Sequence, residues 1–245
     1  MRTFTFIAIT LFSGAIAGAL LGLINQSMVE PFIDKAIGIE TQKQVNAGKI
    51  IDTTQQSQYR TWQKEGEIVA ATIMGISLAS LFGVVFTYSR NSLPGSDNEK
   101  KAVILAGLMF FVLFLVPALK YPANPPAVGN PDTIYYRESL FIGFIAVSGF
   151  STLGLALLYR KLGNNQSKMR RIAIPLTYAA VMIGAYVIFP PNPDKITIPM
   201  DLIVSFRIAS VSTIGVFWGL LGIIFGAFWD KFKPHETSKE IATPV

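Results

Sequence analysis

The sequence predicts an all-α, polytopic membrane protein of about six transmembrane helices, and three observations lead there. A bilayer core of about 30 Å is crossed by about 20 apolar residues in a helix, and stretches of that kind recur six times along the chain. Hydrophobic residues make up 51% of the 245 and charged ones only 15%, against roughly 25% charged in an ordinary globular domain. Mean hydropathy is +0.46 over the whole length, and so much apolar surface has too little polar surface to cover it in water. Finally, the basic residues gather in short segments between the apolar stretches, as membrane topology requires.

The first apolar stretch runs from Phe4 to about Ile24 (4–24) without a charge. Arg2 gives it a short basic start. The run nevertheless exceeds the 7–15 residues of a signal peptide, and no small-x-small site precedes Asn25-Gln26-Ser27-Met28, so a retained helix is expected. The second covers Ile68–Tyr88 (68–88), again uncharged. The third, Ala102–Leu119 (102–119), is shorter and carries Phe110, Phe111 and Phe114. Ser139–Tyr159 (139–159), Ile172–Phe189 (172–189) and Leu202–Trp229 (202–229) come next, and Arg207 is the one charge inside the last. Together they predict a single membrane domain over residues 1–245.

Lys and Arg set the orientation. Arg2, then Arg90, Lys100 and Lys101, then Arg160, Lys161, Lys168, Arg170 and Arg171, then Lys231, Lys233 and Lys239 fall on one side. The other side holds Lys120, Arg137, Lys195 and Arg207 at a helix entrance. It also holds a long first loop whose Lys35, Lys43, Lys49, Arg60 and Lys64 are interleaved with Asp34, Glu40, Asp52 and Glu65. The positive-inside rule then places both termini in the cytoplasm of a multi-pass plasma-membrane protein.

The outward loops carry the unusual sequence. The first, residues 29–67, is Gln-rich and has Val29, Phe32, Ile33, Ala36 and Ile37 at partly helical spacing. It is expected to begin as an interfacial amphipathic helix. The second is Tyr121-Pro-Ala-Asn-Pro-Pro-Ala-Val-Gly-Asn-Pro-Asp132 and the third runs from Pro190-Pro-Asn-Pro-Asp194 to Pro199. Both are too rich in proline to be helical. In each, a Tyr-Pro or Phe-Pro helix end leads to an Asn-Pro pair and then an Asp before an Arg (Asp132 and Arg137, Asp201 and Arg207). That echo suggests a partial internal repeat of the kind found in transporters.

The residue inventory excludes whole classes of chemistry. There is no cysteine, and the one histidine, His235, lies in a polar tail where solvation is expected. Thiolate sites, Cys nucleophiles, His-based metal cages and Ser/His/Asp catalysis inside the membrane are thereby set aside. No Walker A pattern or strand–Gly-rich–helix unit offers a nucleotide site. The net charge of +6 is carried by loops, which argues for topology rather than nucleic acid. An enzyme is not expected.

Helix one carries Gly14, Gly18 and Gly22 on one face, and the last helix carries Gly215, Gly219, Gly222 and Gly226. Small-residue stripes let helices approach closely, which predicts internal packing ahead of a homodimer contact or a pore-facing groove. Asn25, Gln26, Glu30 and Glu40 at the polar end of helix one, beside Pro31, bear oxygens suited to hard or borderline divalent cations. Asp132 and Asp201 are expected to cap helix starts. Arg207, two turns inside its helix, is expected to pair with Asp132, Asp201 or Glu138, since a charge at that depth needs a partner.

The helix-one stripe running into Gln26, Pro31-Phe-Ile33 and Glu40 resembles the start of the CbtA family of cobalt transporter subunits. So do Val116-Pro-Ala-Leu-Lys-Tyr-Pro-Ala-Asn-Pro-Pro-Ala-Val-Gly-Asn-Pro-Asp-Thr-Ile134 with Arg137, and Phe206-Arg207-Ile-Ala-Ser210 with Phe217-Trp218 and Leu221-Gly222. The resemblance spans nearly the whole chain. It implies cobalt uptake together with a small, one-helix, His-rich membrane partner, CbtB. It singles out Gln26, Pro31, Glu40, Lys120, Pro122, Asn124, Pro125, Pro126, Asp132, Arg137 and Arg207. With Glu30 added from the residue chemistry, the candidate cation ligands are Gln26, Glu30, Glu40, Asn124 and Asp132. Cobalt(II) favours imidazole and mixed N/O sites, so a site here needs a partner's histidines or a weak oxygen set that a transported Co²⁺ crosses without being held. The competing expectation is a structural or accessory subunit of a larger membrane complex with no transport of its own.

Overall fold

The computed structural model describes residues 2–126, 128–161 and 168–235, all of whose regular structure is helical. Lys239 lies outside the described residues. Helices α1 (Thr3–Met28), α2 (Glu30–Asn46), α3 (Thr53–Ser89) and α4 (Asn98–Phe110) come first. A π segment, Phe111–Leu115, continues α4 into α5 (Val116–Lys120). A short 3₁₀ turn at Pro131–Thr133 then opens α6 (Ile134–Lys161), before α7 (Lys168–Ile188) and α8 (Met200–Phe232). Five helical stretches are long and apolar enough to cross a membrane: Thr3–Met28, Thr53–Ser89, Asn98–Lys120, Pro131–Lys161 and Met200–Phe232. Ile172–Ile188 is a shorter apolar helix. These are the six expected segments, longer at both ends except the fifth, which stops at Ile188, one residue short of the expected Phe189.

The chain forms two compact units, one of Met1–Phe110 with Asp201–Val245 and one of Phe111–Met200. The first is built on the α1–α3 pair, and the glycine stripe is its seam. A Cβ on Gly14 would lie 2.6 Å from the carbonyl oxygen of Gly75 and from Ala79 Cβ. One on Gly22 would lie 2.8 Å from Ile68 Cα, and one on Gly18 would strike Ala71 O. Only hydrogen fits between these backbones, so the stripe is consumed by internal packing. At the other glycine row, Gly222 and Gly226 meet α4 at Ala106, Val103 and Glu99, while Gly219 has nothing within 4 Å.

Asp230, near the end of α8, accepts from Asn98 Nδ2 at 2.7 Å and from the Glu99 N–H at 3.1 Å. The carboxylate thus satisfies donors that the first turn of α4 leaves open. Phe82, Phe86, Phe225 and Trp229 fill the space nearby in edge-to-face pairs. His235 departs from its expected solvation: it stacks on Trp229 with 6° between ring planes. Pro234 explains why, since its carbonyl accepts from the Arg2 N–H at 2.7 Å and folds the chain back.

Residues 29–67 are more helical than a loop. Helix α2 begins at Glu30, as the apolar spacing predicts, with Pro31 in its first turn, where the missing N–H is harmless. Helix α3 starts at Thr53 rather than at the apolar boundary, because the Asp52 carboxylate caps the N–H groups of Thr54 and Gln55 at 2.9 and 3.0 Å. In the second unit, Phe144, Met182 and Ala185 form the core with Val116, Tyr121, Val147, Tyr178 and Phe189 packed on it.

Candidate functional site

Each unit gathers polar residues at one end of its helices. In the first unit they come from the end of α1, the start of α2 and the segment of α3 that precedes its uncharged apolar run. Arg60 binds Glu30 and also donates to Asp34 at 2.9 Å, and Lys64 Nζ reaches Asp34 at 2.7 Å. Gln26 Nε2 donates to the Lys64 carbonyl at 2.9 Å. Gln56 ties α3 to Thr41 of α2 at 2.8 Å. These bonds explain why the polar start of α3 is helical: its successive turns find partners on α2.

Burial sorts the members. Glu30 is 6% exposed, and a carboxylate so enclosed is held there by the guanidinium beside it. Burial would raise the Asp34 carboxyl, but hydrogen bonds and charge from Lys64 and Arg60 outweigh it and hold the group below the usual carboxylate range. Glu67 sits against Asn25 and within reach of the Glu30 charge. Asn25 Oδ1 and Glu67 Oε2 are buried with no hydrogen-bond partner. These two oxygens keep acceptor capacity that no donor in the cluster fills.

The expected ligands thus fall into different surroundings. Gln26 and Glu30 lie in this cluster, but Glu30 is engaged by Arg60 and the Gln26 amide N–H by the Lys64 carbonyl. Glu40 lies farther along α2 and accepts from Gln44 at 3.2 Å. Asn124 and Asp132 belong to the second unit. Among the described residues no group of three or more His, Cys, Asp and Glu side chains converges as a metal cage. Glu67 escaped sequence reasoning because it sits at the boundary of an apolar stretch, where a carboxylate reads as a solvated flank.

In the second unit the two proline-rich loops are stapled together. Tyr121 donates its hydroxyl proton to the Pro190 carbonyl at 2.6 Å. Lys120 donates to the Tyr186 carbonyl at 2.8 Å and lies 4.4 Å from the centre of that ring. Arg137 pairs with Asp194 at 2.9 Å, and Thr133 donates to the same oxygen at 2.7 Å. Gly129, at φ +104°, leaves the space: a Cβ there would lie 2.5 Å from Asp194 Oδ2. Pro125 is fully buried, whereas Pro122 and Pro126 are not.

Asp194 is the partner that the sequence reading passed over. Its signal is a tripeptide: Asn130-Pro131-Asp132 and Asn192-Pro193-Asp194. In both, the Asn side-chain oxygen accepts from the Asp N–H two residues on, at 3.0 Å, the Asx turn such a sequence favours. The echo between the loops therefore matches Asp132 with Asp194 rather than with Asp201. Asp132 lies exposed in the 3₁₀ turn before α6, and Asp201 lies in the first turn of α8. Arg207 is half-buried next to Phe206, which packs with Val29 and Ala209.

No curated protein and no solved structure matches the chain. A family model, described as Probable cobalt transporter subunit (CbtA), matches residues 3–230. That stretch takes in all the apolar helices but the last two residues of α8, the Arg60 cluster and both stapled loops, and the chain belongs to the CbtA family.

Proposed function

We propose that this chain is the polytopic subunit of a cobalt uptake system, with Co²⁺ as cargo and a small His-rich membrane subunit as partner. Its place is the plasma membrane with both termini cytoplasmic, an orientation supported by the Lys and Arg of the short loops. The observation that carries the proposal is the family match over residues 3–230. The side-chain chemistry agrees with it. Asn25 Oδ1 and Glu67 Oε2 are buried oxygens left without donors at the polar end of α1 and α3, and Glu40, Asn124 and Asp132 are side chains whose oxygens can also meet a hard or borderline cation. A divalent ion that must move on is better served by scattered oxygens than by a closed cage, because tight ligation would trap it. Imidazole, which cobalt prefers, would come from the partner.

Uptake of labelled cobalt into cells expressing the chain, with and without the His-rich partner, tests the proposal. Uptake above background is expected when both are present. Replacing Glu40, Asn124 and Asp132 together, or Glu67 with Asn25, should reduce it at least tenfold. Uptake that is unchanged in both combinations would instead make the chain an accessory subunit, and stable co-purification with a larger assembly in mild detergent would then identify what it supports.

A further inference from the structure

The π segment Phe111–Leu115 interrupts a helix that otherwise runs from Asn98 to Lys120. Its origin lies two residues beyond it. Pro117 has no N–H, and in an α-helix its ring would crowd the carbonyl four residues back, at Leu113. Widening the preceding turn to the i+5 register relieves that clash. The widened turn then directs the Val112 carbonyl toward the N–H of residue 117, which proline lacks. In hydrocarbon an unmet carbonyl is costly.

Ser148 of α6 meets it. Its Oγ donates to the Val112 carbonyl at 2.6 Å and lies 2.7 Å from the Tyr178 hydroxyl of α7. A serine has one proton to give, so with that proton on Val112 it is Tyr178 that donates to Ser148. Ser148 and Tyr178 stand at the midpoints of their helices, and Ser148 is fully buried.

We propose that Ser148 is a latch that holds this helix in π register, and that its release switches Phe111–Leu115 to α. In the α register the Val112 carbonyl is met by the Val116 N–H, so the serine is no longer needed and Pro117 remains as an ordinary kink. The switch removes one residue from the wide turn, and every residue beyond it rotates by about 100°. Lys120 and Tyr121 are among them, the two residues that staple the loop after α5 to Tyr186 and Pro190. A rotation of that size cannot keep both staples. A hydroxyl in the middle of the helices thereby controls whether the start of the loop after α5 stays tied to Tyr186 and Pro190. The inference goes beyond the transport proposal and stands without it.

The test uses the full chain in nanodiscs. It contains no cysteine, so a Leu119→Cys, Leu157→Cys pair can be spin-labelled without background; both positions are exposed, at 70% and 55%. On a helix 10–12 Å across, a 100° turn carries a surface label roughly 8 Å. One pulsed-EPR distance is expected with Ser148 present and in Ser148→Thr, and a second, shifted population in Ser148→Ala. A Ser148→Ala distribution that superimposes on the parent overturns the proposal. Should that variant not fold, Ser148→Val, which has the shape of Ser148→Thr but no hydroxyl, decides the matter by the same criterion.

Discussion

Replacing Gly14 by alanine should part α1 from α3, and the size of the effect can be worked from the geometry. The new Cβ would sit 2.6 Å from Gly75 O and Ala79 Cβ and 2.8 Å from Ile76 Cα, where ordinary contact begins at 3.4 Å. Two of these three neighbours are backbone atoms, which cannot swing aside as a side-chain tip can. The helices must therefore separate by about 0.8 Å at this point. A gap of that width forfeits roughly a quarter to a half of the dispersion attraction of the atoms lining it. Overpacking of this kind costs about 1–3 kcal/mol, and the better helix propensity of alanine returns up to about 1 kcal/mol. A net loss of about 1–2 kcal/mol should raise the unfolded fraction roughly 5–30-fold. Steric-trap unfolding in bicelles reads this directly. Gly154→Ala is the control, because a Cβ there meets nothing within 4 Å, and it should leave stability unchanged or slightly raised. If Gly14→Ala proves as stable as Gly154→Ala, the close seam is wrong.

Two further outcomes test the polar clusters. Asp34 has a carboxyl held below its ordinary value of 3.8, so its contribution to stability is present in full above that value and is lost as pH falls through the lowered one. The difference between parent and Asp34→Asn melts in detergent should therefore be constant through neutrality and shrink only below about pH 4. Asp194, with a side chain 8% exposed against Arg137, should be the costlier loop change. Asp194→Ala strands a half-buried guanidinium and should destabilise by about 2–3 kcal/mol, at or below the low end for breaking a buried pair. A double-mutant cycle with Arg137→Ala that shows no coupling would refute the staple.

The membrane helices were legible because their signal is local: a run of about 20 apolar residues decides its own fate in a bilayer. What was illegible depends on partners distant in sequence. The start of α3, from Thr53 to Glu67, reads as a polar loop until Arg60 finds Glu30 and Asp34 thirty and twenty-six residues earlier. Pro117 is visible in the sequence, but its π turn rests on a serine 36 residues from Val112. Asp194 was overshadowed by Asp201, which sits nearer an arginine in sequence, whereas Gly129 at φ +104° opens the space that brings Arg137 to Asp194. His235 obeys the same rule, since only the pairing of Arg2 with Pro234 shows that the tail turns back.

Helix α3 has 37 residues, or about 55 Å of continuous rise, and a hydrocarbon layer of about 30 Å accounts for little more than half of that. The remaining turns, braced by α2 through Arg60, Lys64 and Gln56, carry the helix as a mast past its uncharged apolar run, with Tyr59 and Trp62 stacked on its exposed side. For a 26.8 kDa chain, too small to align well by itself in electron micrographs, that mast is a fiducial. A nanobody raised against the Tyr59–Trp62 face would grip an exposed part of the molecule that α2 braces.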